Sequence, residues 1–144
     1  EGLTDGHGRK LHYDKAFYIG EQSYYIQKGV GGKYKSYPSA AEGMADDLQV
    51  METLVPSHIV FGDRVGVLTG DGALKAKVGD TVLIVHEAAM RDTRPHLIGG
   101  HGDYVWERGK FSDVPLTDQE TWFIAGGSAA AALYTFRQPG VYAY

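Results

Sequence analysis

Thr81-Val82-Leu83-Ile84-Val85-His86 is a strongly apolar run, and it leads toward Arg94-Pro95-His96-Leu97-Ile98-Gly99-Gly100-His101-Gly102-Asp103 and then Tyr104-Val105-Trp106. The first and last of these stretches have the length and composition of strands. The middle one, with Pro95, three glycines and two imidazoles, reads as a loop between them. Loops held by a rigid sheet are where all-β proteins usually place their chemistry. The function therefore turns on what His96 and His101 do, with Ile98 between them.

Working outward, the chain is punctuated by glycine turns. Ala16 to Gln27, rich in Phe, Tyr and Ile, favours one bulged strand or two short ones. Gly29 to Pro38 reads as a basic, turn-rich loop, with Lys28, Lys33 and Lys35 as a solvated face. Residues 1–12 are polar and read as a surface entry segment. His58-Ile59-Val60-Phe61, Thr121–Ile124, Leu133–Arg137 and Val141–Tyr144 are further strand candidates. Short strands at this density predict an antiparallel β-sandwich. Ser39-Ala40-Ala41-Glu42 fits a capping box ahead of Met44, Leu48, Met51 and Leu54, which recur near a helical period until Pro56. This is the only substantial helix predicted. Thr117-Asp118-Gln119-Glu120 fits the same formal pattern but leads into strand-like residues, so no helix is expected there.

Composition narrows the function classes. A chain of 144 residues is one domain's worth and can bury roughly 70% of its unfolded surface. The net charge is −4, with 14 Lys and Arg against 18 acids, and the pI is 5.8. Nucleic acid and anionic membranes find no basic surface here. No apolar run approaches the roughly 20 residues that span a bilayer. There is no cysteine, which excludes disulfides, thiolate metal sites and a cysteine nucleophile. The chain begins at Glu1 and stops at Tyr144 within a strand-like run, which suggests a fragment truncated at both ends.

Several motifs have plain readings. His86 ends an apolar strand, where a histidine is more often a hydrogen-bonded structural residue than a ligand. His7, His12 and His58 show no metal-type spacing. Gly70-Asp71-Gly72 and Gly29–Lys33 lack the spacing of nucleotide-binding loops, and Gly126-Gly127-Ser128 lacks the last glycine of a nucleophile elbow. His96 and His101 could bind zinc or copper, or could supply a proton. On spacing alone a shaped turn with solvent-facing imidazoles is favoured, since two ligands fall short of a tight metal site.

The whole string Arg91–Trp106, with Gln119-Glu120-Thr121-Trp122-Phe123-Ile124 and Gln138-Pro139-Gly140-Val141-Tyr142-Ala143-Tyr144, changes that weighing. It resembles the second cupredoxin domain of copper-containing nitrite reductases. The resemblance extends to Tyr13-Asp14-Lys15, Gly20-Glu21-Gln22, Gly32-Lys33-Tyr34-Lys35 and Pro56–Phe61. Glu87-Ala88-Ala89-Met90 departs from the family's usual Ser-Gln-Ala-Asn. The resemblance implies an all-β, cupredoxin-like Greek-key β-sandwich with one short helix. Residues 1–144 would be the second domain of a two-domain subunit.

The family further implies a periplasmic homotrimer active in denitrification and nitrate assimilation. It reduces nitrite to nitric oxide with type 1 and type 2 copper, fed by a small cupredoxin or cytochrome c. The copper ligands would lie outside this stretch: the first domain's, and a histidine expected shortly after Tyr144. No metal ligand is assigned here, His101 included.

His96 matches the family's catalytic histidine, the expected proton donor beside the type 2 copper between subunits. Ile98 matches the apolar residue that limits how nitrite can lie. Glu120 and Thr121 match residues that orient the histidine through main-chain and hydroxyl contacts. The fragment alone is expected to be inactive. The rival reading is a metal-free cupredoxin-like domain with a structural or interaction role. A multicopper oxidase comes third, its His-Cys-His clusters having no trace in the chain.

Overall fold

The computed structural model describes residues 2–144 and places seven regular elements in order. They are β1 (Lys15–Tyr24), α1 (Ala40–Met51), β2 (His58–Phe61), β3 (Thr81–Ala88), β4 (Gly102–Trp106), β5 (Leu116–Gln119) and β6 (Ser128–Thr135). A single 3-10 turn covers Gly70–Gly72. The strands form one sheet in the order β2-β1-β3-β6-β4-β5. All neighbours are antiparallel except β1 and β3, which run parallel from Lys15 opposite Val82 to Glu21 opposite Ala88. The sheet is thus mixed, where turn density alone pointed to antiparallel pairing throughout.

β3 and β6 lie at the centre and are buried along most of their length, as strands covered on both faces must be. Their register sets Val82, Ile84, His86 and Ala88 beside Tyr134, Ala132, Ala130 and Ser128. That face joins Leu97, Trp122 and Ile124 in one core cluster through Ala88, Ala130, Ala132 and Tyr134. On the opposite face Leu83, Ala131 and Leu133 pack with Leu3 and Trp106. The entry segment is mostly exposed, but Leu3 anchors it there. β6 begins at Ser128, ahead of the expected Leu133, because the alanines 129–132 sit in the sheet's middle. Alanine is a weak strand former, but small side chains there leave room for Trp106 and Trp122, and burial outweighs propensity.

The second layer is made of short bridges in place of full strands. Thr93 pairs with Ile124, His96 with Thr121, and Ile98 with Ala143. The strands expected at 121–124 and 141–144 are these bridged segments.

α1 begins as its pattern predicts. The Ser39 hydroxyl accepts from the Glu42 N–H at 3.4 Å and donates to the Glu42 carboxylate at 3.0 Å. The helix ends at Met51, and Leu54 takes a left-handed φ of 59° just beyond it. Among the described residues no strand packs closely on α1, and Met44 and Leu48 are exposed. The helix is held by the preceding loop: Asp46 accepts from the Tyr37 hydroxyl and the Lys35 ammonium, each at 2.6 Å.

Candidate functional site

The site is a two-segment ribbon lying over the sheet. Thr93 and Ile124 exchange backbone hydrogen bonds of 2.9 and 3.0 Å, the Trp122 N–H donates to the Pro95 carbonyl at 3.2 Å, and the Ile98 N–H donates to the Ala143 carbonyl at 2.8 Å. Strand alternation then sorts the side chains. Pro95, Leu97, Trp122 and Ile124 point into the core, while Arg94, His96, Ile98, Thr121 and Phe123 point away from it. The packed inner row fixes the backbone on which the outer row stands.

His96 is half-buried, with Nδ1 lying 2.8 Å from the Thr121 hydroxyl. Its Nε2 lies 3.9 Å from Glu120 Oε1, on a side chain 38% exposed. A hydroxyl on one ring nitrogen fixes the ring's orientation, and the other nitrogen stays reachable from outside. That is the arrangement by which an imidazole can hold a proton at Nε2 and release it to a bound molecule. Ile98 stands two residues along the same outer row and is exposed.

His101 has a different partner. Its Nδ1 lies 2.9 Å from Asp118 Oδ1, and Asp118 adopts a left-handed φ of 54°, which Asp tolerates better than most residues. The segment 118–121 therefore supplies partners to both imidazoles, Asp118 to one and Glu120 with Thr121 to the other. Among the described residues, no group of three or more His, Cys, Asp or Glu is placed to hold a metal ion.

His86 is buried and hydrogen-bonded at both ring nitrogens, to Tyr144 and Glu21, each at 3.1 Å. Burial holds its pKa below the ordinary histidine value, against the opposing pull of Glu21. Its structural reading from sequence fits this setting, although its two partners were not foreseen. Arg94 was also not singled out. Its guanidinium carbon lies 5.2 Å from the Phe123 ring centroid, and the alternation that pairs it with His96 was the available signal. An apolar cavity of about 780 Å³ lies between β1, β2 and the segment 136–144, bordered by Phe17, Ile19, Phe61 and Phe136. Leu97 reaches it from the inner row, but His96 is not among its lining residues.

Comparison with known proteins adds the following. A family model described as multicopper oxidase matches residues 15–144. Over all 144 residues the chain is 65% identical to a copper-containing nitrite reductase of Rhizobium meliloti (strain 1021) and 62% identical to one of Neorhizobium galegae. It spans 38% of the length of each relative. A solved structure titled as the copper nitrite reductase from Nitrosomonas europaea aligns with 92% of this chain and 43% of its own, with TM-score 0.66 and 18% identity. At that identity the likeness concerns the fold.

Proposed function

The chain belongs to the multicopper oxidase family, and on that premise we propose that it is the second cupredoxin domain of a nitrite reductase that forms nitric oxide. The full-length similarity to copper-containing nitrite reductases supports this reading. The single observation that carries the assignment of a role is the His96 ring, tied at Nδ1 to Thr121 and open at Nε2.

Converting nitrite to nitric oxide and water consumes one electron and two protons. Copper would supply the electron and the binding point for nitrite, at a type 2 centre between subunits of a periplasmic homotrimer. The described residues of this chain bring no three donors together. On the family resemblance the metal's ligands are assigned outside these residues, and the chain's own part is proton delivery and shape. His96 holds the proton at Nε2. Thr121 fixes the ring, Glu120 lies 3.9 Å from Nε2, and Ile98 gives the pocket an apolar wall. The oxygen lost on N–O cleavage would take up the proton His96 releases and a second proton from solvent, and would leave as water.

The test is His96→Ala in the full-length protein. Turnover of nitrite should fall by about 100-fold or more, the scale of a positioned general acid, while copper content stays near that of the unaltered protein. Unchanged turnover would remove the role from His96.

A further inference from the structure

The outer row of the ribbon carries a charge that proton delivery does not use. His96 lies opposite Thr121, so strand register sets Arg94 opposite Phe123, and the guanidinium carbon does lie 5.2 Å from that ring's centroid. Two residues along a strand are about 6.6 Å apart on one face, which makes Arg94 the neighbour of His96 in the outer row. Stacking on an aromatic face orients a guanidinium without neutralising it. Among the described residues no carboxylate forms an ion pair with Arg94.

The acids around it sharpen the point. Glu107 accepts a hydrogen bond from the Phe123 N–H at 3.1 Å, and Glu120 lies beside His96. The Glu120 carboxylate beside His96 would repel an incoming anion. Arg94 is a cation placed to offset it, held by Phe123 so that its charge stays near the proton donor.

We propose that Arg94 is an anion-attracting residue of the His96 face, raising the local concentration of a small anionic substrate without taking part in bond breaking. The proposal rests on the reading of nitrite as substrate and deepens it. Charge focused at a cleft raises association rates, and the gain falls as salt screens it.

The experiment uses the full-length enzyme with Arg94→Gln, Arg94→Lys and His96→Ala, measuring kcat and KM for nitrite at low and high ionic strength. Arg94→Gln should raise KM by about threefold to tenfold at low ionic strength, with a much smaller change at high ionic strength. The main loss should be in kcat/KM, and Arg94→Lys should restore most of it because the charge returns. An unaltered KM and salt dependence in Arg94→Gln would overturn the proposal. So would a lysine variant as impaired as the glutamine one, since the effect would then belong to the Phe123 stack. A normal kcat in His96→Ala would instead overturn the reading of the site itself. Loss in His96→Ala beside an inert Arg94→Gln would sink only the steering role.

Discussion

His86 Nε2 lies 3.1 Å from Glu21 Oε2, so one buried imidazole ties β3 to β1. The pattern that satisfies every atom is a neutral ring, donating from Nε2 to the carboxylate and accepting at Nδ1 from the Tyr144 hydroxyl. Burial, together with the negative charge of Glu21, raises the pKa of that hydroxyl far above its ordinary value.

A pH dependence follows from His86. Its native pKa lies below the unfolded one, so as pH falls the unfolded chain binds the proton first. The stability it contributes is complete above about pH 6.5 and declines as pH falls from there through the depressed native value. Denaturant midpoints of the full-length protein, measured from about pH 8 to pH 5, should drop across that window. His86→Gln should flatten the drop, and an equal slope in that variant would refute the assignment. His86→Leu, which strands Glu21 and Tyr144, should cost about 1–3 kcal/mol at neutral pH.

Thr121→Val keeps the shape of the residue and deletes the hydroxyl beside His96 Nδ1. Thr121 is exposed, so denaturation midpoints should barely move. On the proposed reading, nitrite turnover by the full-length protein should fall by about threefold to tenfold, corresponding to a hydrogen bond of about 0.5–1.5 kcal/mol, and its pH profile should shift. Thr121→Ser should recover much of the loss. A serine variant no better than the valine one would argue against the hydroxyl's part.

Gly100 is where the site loop meets the core. A Cβ there would come within 2.2 Å of Tyr134 Cζ, on a ring already packed against Phe136 and Tyr142. Gly100→Ala should destabilise by about 1–3 kcal/mol through forced repacking and should lower turnover by displacing the neighbouring ribbon. Wild-type stability in this variant would mean that the loop can move aside freely.

Gly43→Ala sets two effects against each other. Alanine gains about 1 kcal/mol in a helix interior, but its Cβ would lie 2.9 Å from Tyr37 Cδ2. That ring is fixed by its hydroxyl's hydrogen bond to Asp46, and burial first, then Asp46, pushes its pKa up to about 12. Overpacking costs about 1–3 kcal/mol and should win, lowering the denaturant midpoint. A raised midpoint would show that the ring yields.

The positions of β3, β2 and α1 were legible because each carries a local signal. β3 is an apolar run, β2 is bounded by a turn at Gly62, and Ser39 with Glu42 marks the helix start. β6 was harder, since Ala129–Ala132 has no strand propensity of its own and becomes a strand only between β3 and β4. The helical spacing placed α1 but not its surroundings: Met44 and Leu48 face outward, because periodicity reports that a face is apolar and not what covers it. At the site, His96 and Thr121 stood out as parts of a family pattern. Their separation of 2.8 Å depends on how residues 93–98 and 121–124 pair, which no single segment encodes. Arg94 and the partners of His86 escaped notice for the same reason.

The parallel pairing of β1 with β3 has a consequence for how the chain comes off the ribosome. Lys15 must wait for Val82, and Thr81 in turn for Thr135, so neither strand finds these neighbours nearby in sequence. Such distant partnerships slow the search for the native state. During synthesis the first strand remains an open edge, able to recruit the wrong chain. Crowded or overexpressing cells should therefore lose this protein to inclusion bodies before they lose it to unfolding.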